Sequence, residues 1–202
     1  MNTNKDLLII FTRNPVLGKV KRRLAAKIGD PAALRLYEFL LKHTHEVTKD
    51  LTCDKIVYYS EEIVQKDIWD NRIFQKKRQE GNDLGERMKN AFSEGFADGY
   101  TNVVIIGSDL FDLQKEDLKK AFSGLNKFDY VVGPAQDGGY YLLGMKSLNS
   151  KLFRNKSWGS DAVLQQTLQD LSNEQLTLLE ERNDIDTYED LISHPELQQL
   201  IK

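Results

Sequence analysis

The residues best suited to chemistry lie in short, separated stretches. The most basic is residues 12–24, where Arg13, Lys19, Lys21, Arg22 and Arg23 crowd a loop marked by Pro15 and Gly18. A glycine-containing loop between a buried strand and a helix can cradle phosphate with backbone amides, while Lys and Arg neutralise it. The Gly and Lys spacing is not that of a Walker loop. Solvated charges at a helix start are the bland alternative; the position after a buried first strand favours phosphate. Asp109 follows Gly107 and Ser108 at the end of an apolar run. A carboxylate there can hold a hard divalent cation that in turn holds phosphate oxygens, or it can cap the next turn. In Asp184-Ile185-Asp186-Thr187 both acids fall on one side of an extended segment, which suits a metal. Asp186 or Thr187 is equally a natural helix cap with acids following. Asp137-Gly138-Gly139-Tyr140 reads as a hairpin turn. Its glycines also permit close approach of an acceptor, with Asp137 and Tyr140 able to hydrogen-bond it. Gly81 and Gly85, on entry to another helix, offer the same freedom more weakly.

Elements must position these groups. Asn102-Val103-Val104-Ile105-Ile106 and Leu7-Leu8-Ile9-Ile10-Phe11 are continuous apolar runs, hence strands buried on both faces, the second of them first and central in the sheet. Ala33, Leu34, Tyr37, Leu40, Leu41, Thr44 and Val47 form one stripe of a helix over 31–50, with Pro31 in its first turn. His43 and His45 do not share a face of it and are read as boundary residues. A strand at 56–59, a short helix over 61–69 and a weaker strand at 73–78 follow. Asn82 or Asp83 caps a helix whose buried stripe is Leu84, Met88, Ala91 or Phe92, and Phe96. Further expectations are helices over 114–122 and 160–171, strands at 129–134 and 176–179, and a short acidic helix after Asp186. The alternation predicts a three-layer α/β domain with a mostly parallel central sheet and a late antiparallel hairpin.

Bulk properties narrow the function classes. The chain has 202 residues, 40% hydrophobic and 29% charged, which fits one globular domain over 1–202. A net charge of −3 gives no electrostatic case for nucleic acid. Cys53 is the single cysteine, so no intrachain disulfide forms; it reads as a small buried filler. The polar start and the short run after it are no signal-peptide core, and no stretch reaches the roughly 20 apolar residues of a membrane span. A cytoplasmic protein is expected, with self-association left open.

Several of these stretches together resemble one known family. Residues 11–24 read F-x-x-x-P-x-x-G-x-V-K-x-R-L. With Asp83-Leu84-Gly85-Glu86-Arg87-Met88, Gly107-Ser108-Asp109, Gly133-Pro134-Ala135-Gln136-Asp137-Gly138-Gly139-Tyr140-Tyr141-Leu142 and Asp184-Ile185-Asp186-Thr187 they resemble, in order, the motifs of the rSAM/selenodomain-associated transferases of the first type. That family belongs to the nucleotide-diphospho-sugar transferase superfamily and is similar to the guanylyltransferases of molybdopterin and phospholactate metabolism. The resemblance implies a GT-A-like, Rossmann-like fold. It implies that Gly18, Lys21 and Arg23, with Arg13 and Lys19 beside them, hold nucleotide phosphates, and that Leu84 and Gly85 lie near base and ribose. Asp109 would bind Mg2+ (or Mn2+), with Asp186 as distant partner; Gly138, Gly139 and Tyr140, together with Asp137, would face the acceptor. Arg22 stands where the family usually has Thr, and Phe111 where it has Pro.

The expected activity is metal-dependent nucleotidyl transfer: a small phosphorylated acceptor attacks the α-phosphate of an NTP and pyrophosphate leaves, with Lys21, Arg23 and Asp109 catalytic. Glycosyl transfer from a nucleotide sugar is the alternative, although an Asp-x-Asp metal motif would be expected at the strand end where Asp109 stands. A non-catalytic nucleotide-binding module is a further alternative, suggested by Phe111.

Overall fold

Leu7, Leu8, Ile9 and Ile10 are all at 0% exposure, and they split between two cores. Leu8 and Ile10 pack with Tyr37, Leu41, Leu118 and Leu125 on one face, whereas Leu7 and Ile9 pack with Met88, Phe92 and Phe153 on the other. Alternate side chains of a strand point to opposite faces, so one apolar run requires helices on both sides of its sheet. The computed structural model describes residues 5–201. Its strands are β1 (Asp6–Thr12), β2 (Asp54–Tyr59), β3 (Gln75–Arg78), β4 (Asn102–Gly107), β5 (Tyr130–Pro134), β6 (Tyr140–Met145) and β7 (Leu176–Leu178). Its α-helices are α1 (Arg22–Ile28), α2 (Asp30–Thr48), α3 (Leu84–Ala97), α4 (Lys115–Leu125), α5 (Val163–Asp170) and α6 (Tyr188–Ile192).

The sheet has seven strands in the order β3-β2-β1-β4-β6-β5-β7. Only β6 runs against its neighbours β4 and β5; the other pairs are parallel. This is the α/β architecture expected, mostly parallel with a β5–β6 hairpin. The chain steps outward from β1 to β3, then crosses back to β4 on the other side of β1. That reversal is a topological switch point, where open α/β sheets place ligands. The ends of β1, β2, β4, β5 and β7, and the start of β6, all reach one edge, which gathers the chemical stretches there.

A third cluster, Leu24, Leu36, Leu40, Ile185, Leu191 and Leu197, clamps the C-terminal segment onto α1 and α2. Ile185, at 0% exposure, is its anchor, so the acids flanking it turn back toward the site.

The helix expected over 61–69 does not form; the segment is a series of bends. Side chains take the groups a helical ladder would use. Asn14 Nδ2 donates to the Glu62 carbonyl at 2.8 Å, and Lys76 Nζ donates to the Val64 carbonyl at 2.9 Å. Asp67 accepts from the Trp69 amide at 2.9 Å and also from the Tyr59 hydroxyl. Leu84, expected in the buried stripe of α3, is 44% exposed, while Met88, Ala91 and Phe92 are buried as the spacing requires. His43 and His45 sit at the boundary, His43 Nε2 lying 2.9 Å from the Leu113 carbonyl. Among the described residues no helix is long and apolar enough to cross a membrane.

Cys53 is partly buried, and burial pushes its thiol up to about 11. Against the ordinary value of 9.0, the thiolate at pH 8 is depleted roughly 100-fold. Iodoacetamide should therefore alkylate native Cys53 about that much more slowly than a free thiol, as read by intact mass. Comparable rates would show the site to be open.

Candidate active site

The basic loop is tied down before it turns. The Arg13 amide donates to the Tyr37 hydroxyl at 2.9 Å, and the Glu61 amide donates to Asn14 Oδ1 at 3.0 Å. Tyr37 Oη also lies 3.3 Å from Ser108 Oγ, linking α2, the loop and the end of β4. Gly18 then takes φ +75° and Lys21 takes φ 46°, ψ 47°. A left-handed conformation is costly for a lysine and persists only where the surroundings fix it. Here it turns the side chain inward, leaving it 3% exposed, while the Lys21 carbonyl opens α1 by accepting from Ala25 at 2.8 Å.

Lys21 Nζ lies 2.7 Å from Asp109 Oδ2 and 3.9 Å from Asp186 Oδ1. Arg23 reaches Asp186 Oδ2 at 3.1 Å from the solvent side. Burial works against both partners of the inner pair, but their mutual attraction prevails. The Lys21 ammonium is held above its usual value and the Asp109 carboxyl below its own. Neither Asp109 nor Asp186 caps a helix. Gln114 closes the capping box of α4 with Asp117, and Thr187 that of α6 with Asp190. Both carboxylates are thus left free for the site.

Asp184 joins this cluster. Burial, together with the charges of Asp109, Asp137 and Asp186 and against the pull of Lys21, pushes its carboxyl up to about 6. Negative charge therefore exceeds what one ammonium balances. Asp109 and Asp186 offer hard oxygen donors near a common point, which fits a divalent cation. Among the described residues no group of three or more His, Cys, Asp or Glu stands ready to hold a metal alone. Such a donor set fits Mg2+ or Mn2+ completed by substrate phosphates and water, the usual arrangement for Mg2+.

Two cavities meet at Phe11, Leu84 and Asp109. The first, of about 540 Å³, is polar and lies over the ends of β1 and β2. Arg13, Asn14, Lys19, Gln79 and Arg87 line it. The second, of about 260 Å³, lies over β4, β6 and α3 and is largely apolar. Met88, Tyr140, Trp158 and Val163 wall it, with Asp137, Gly139 and Asp184 at its rim.

Of the residues singled out from sequence, Lys21, Arg23, Asp109 and Asp186 form one charge cluster. Arg13, Lys19 and Leu84 line the polar cavity; Asp137, Gly139, Tyr140 and Leu84 line the apolar one. Gly18, Gly85 and Gly138 line neither, nor do Lys21, Arg23 and Asp186, which reach the cavities through Asp109. Gly85 lets α3 close on the Trp158 ring, and Gly138 lies against the backbone of Asp161. Phe111 turns away from both cavities, its ring 5.4 Å from that of His43 and 5.3 Å from that of His194. Sequence reading gave no site role to Tyr37 or Arg87 and left Trp158 open between pocket and core; Trp158 lines the apolar cavity. Tyr37 carries no distinguishing signal within its apolar stripe. Asp184, read from sequence with Asp186 as a pair suited to a metal, lines the apolar cavity.

A profile of the family described as an uncharacterized protein conserved in bacteria (DUF2064) matches residues 43–160. Comparison with curated proteins gives no match. Among solved structures, a candidate nucleotide-diphospho-sugar transferase from Desulfovibrio desulfuricans G20 superposes with TM-score 0.84 and 32% identity, over 92% of this chain and 84% of that one. A cytidylyltransferase from Leptospira borgpetersenii shares the fold at TM-score 0.58 and 17% identity, over 93% and 83%. So does the manganese complex of Rv0371c from Mycobacterium tuberculosis H37Rv, at 0.55 and 12%, over 94% and 97%. A sheet reversed at β6, a charged switch point and these matches lead to one conclusion: the chain belongs to the DUF2064 family, within the nucleotide-diphospho-sugar transferase superfamily.

Proposed function

We propose that this transferase moves a nucleotidyl group from an NTP, bound by its phosphates in the polar cavity, to a small acceptor in the apolar cavity. One observation carries the reading. A basic cavity and an apolar, acid-rimmed cavity share Asp109, whose carboxylate pairs with the buried Lys21 behind it. A two-substrate reaction needs two compartments and a shared charged point, and little covalent chemistry is asked of the protein. Arg13, Lys19 and Arg87 orient the phosphates. Lys21, preorganised by its buried and strained position, neutralises charge that develops at phosphorus. Asp109 and Asp186 would hold a divalent cation, whose role is to polarise phosphate oxygens and offset their charge. Leu84, exposed at the junction of the cavities, gives the base or ribose an apolar contact. The carboxylates of the apolar cavity favour a second reading, glycosyl transfer from a nucleotide sugar, since they can take a proton from an acceptor hydroxyl.

The test is a thermal-shift panel of the four NTPs, their diphosphates and nucleotide sugars, with and without Mg2+ or Mn2+. A ligand at 100 times its Kd stabilises by about 2.7 kcal/mol, which is roughly 5–10 °C for a chain of this size. A metal-dependent shift with one NTP, lost in Asp109→Asn and followed by pyrophosphate release, is the expected result. Release of nucleoside diphosphate instead selects glycosyl transfer. The metal assignment fails if Asp109→Asn keeps the metal-dependent shift, and the nucleotide reading fails if no nucleotide shifts the wild type.

A further inference from the structure

The charge of the site changes sign across Asp109. On the polar side, Arg13, Lys19 and Arg87 outnumber the one carboxylate besides Asp109, Glu61, which pairs with Lys19 at 3.3 Å. On the apolar side Asp109, Asp137 and Asp184 are the charged residues of the lining, and no Lys, Arg or His is among them. The nearby cations are already engaged, Lys21 by Asp109 and Asp186, and Arg23 by Asp186. Apart from Ser160, whose Oγ accepts from the Ala162 amide, the remaining side chains of the lining are apolar or aromatic, and among the described residues the Tyr140 hydroxyl has only the weak acceptor Met88 Sδ, at 3.9 Å, as a partner.

The geometry points to an acceptor that is neutral or cationic, with an apolar body and a hydroxyl or amino nucleophile, rather than the phosphate monoester expected from sequence. The inference rests on the nucleotide occupying the polar cavity. Phosphate recognition calls for Arg, Lys or backbone amide donors, and this cavity offers carboxylates. A dianion placed beside Asp137 and Asp184 meets like-charge repulsion, which costs binding steeply. An ammonium or hydroxyl group meets acceptors instead. At about 260 Å³ the cavity lies near the lower end of ligand pockets, which suits a single ring with a short chain. In nucleotidyl transfer the nucleophile's O–H or N–H bond would break as its O or N bonds to the α-phosphorus. The P–O bond to pyrophosphate would break, and the proton would pass to a cavity carboxylate.

Three probes of one shape and different charge decide the matter: 2-phenylethanol, 2-phenylethylamine and 2-phenylethyl phosphate. Each is titrated calorimetrically into the full chain with Mg2+, both with and without the nucleotide chosen by the thermal panel. The amine and the alcohol are expected to bind at least about tenfold tighter than the phosphate, and Asp137→Lys is expected to reverse that order. Equal or tighter binding of the phosphate to the wild type overturns the inference, as does a failure of both the alcohol and the amine to bind. If no nucleotide binds, the nucleotide assignment falls, while the order of the probes on the chain alone still decides the acceptor class.

Discussion

Replacing Lys21 with methionine is expected to lower turnover by at least about 100-fold, the scale of losing one preorganised charge at a reacting phosphate. Methionine keeps most of the side-chain volume, so the loss reads charge rather than packing. The folded state should suffer far less. Removing one partner of a fully buried ion pair costs about 3–5 kcal/mol, but the Asp109 side chain is 41% exposed and water can take over from the ammonium. A stability loss of roughly 1–2 kcal/mol is expected, between that figure and the near-zero worth of surface pairs. The two effects are separated by measuring kcat at saturating nucleotide alongside a denaturant midpoint. A variant that unfolds easily yet turns over normally once folded would make Lys21 a structural residue. Lys21→Arg is a useful partner variant: it restores charge, but the larger planar head does not fit a pocket shaped for a compact ammonium. Partial rescue is therefore expected.

That Lys21 would be buried in a left-handed turn was not legible from its neighbours. What was legible lay in patterns that one strand or helix determines alone. The run at 103–106 requires a strand covered on both faces, and the rule that ligands gather at strand ends then places Asp109 at the site edge. The stripe of α2 and the Asp83 cap of α3 follow from spacing and capping in the same way. What was not legible depends on contacts between distant residues. The 61–69 segment has helical composition, but Asn14, Asp67 and Lys76 claim its polar groups from outside. Leu84 matches the apolar stripe of its helix, yet at the first position of α3 it projects beyond the core to the junction of two cavities. Asp186 was ambiguous between cap and ligand. The capping box of Thr187, the other cap candidate, decides against Asp186 as a cap, and the burial of Ile185 against distant α1 and α2 fixes where the Asp186 carboxylate points.

Gly138→Ala is expected to be the most destabilising single-methyl change in the site. Gly138 sits at φ +83°, and a Cβ there would lie 2.2 Å from the Asp161 carbonyl oxygen and 2.5 Å from its Cα. Both are backbone atoms, so no side-chain rotation relieves the clash. The contact is held in place by the Leu164 amide, which donates to the Gly138 carbonyl at 2.8 Å. A left-handed alanine costs about 1–2 kcal/mol and overpacking about 1–3 kcal/mol more. Together they predict a loss of roughly 2–5 kcal/mol, or about 4–20 °C in Tm for a chain of this length. Gly139→Ala is the internal control. Its Cβ would meet Asp137 Oδ1 at 3.0 Å, the end of a side chain that can move, and its φ is not positive. That variant should lose less than about 1 kcal/mol and instead displace the Asp137 carboxylate from the cavity rim. If Gly138→Ala melts with the wild type, the turn is not pinned on Asp161, and the apolar cavity is free to change shape around its acceptor. If Gly138→Ala is destabilised while Gly139→Ala is stable but impaired in acceptor binding, the adjacent glycines divide the work. One fixes the turn on the start of α5, and the other leaves room for the carboxylate that faces the acceptor.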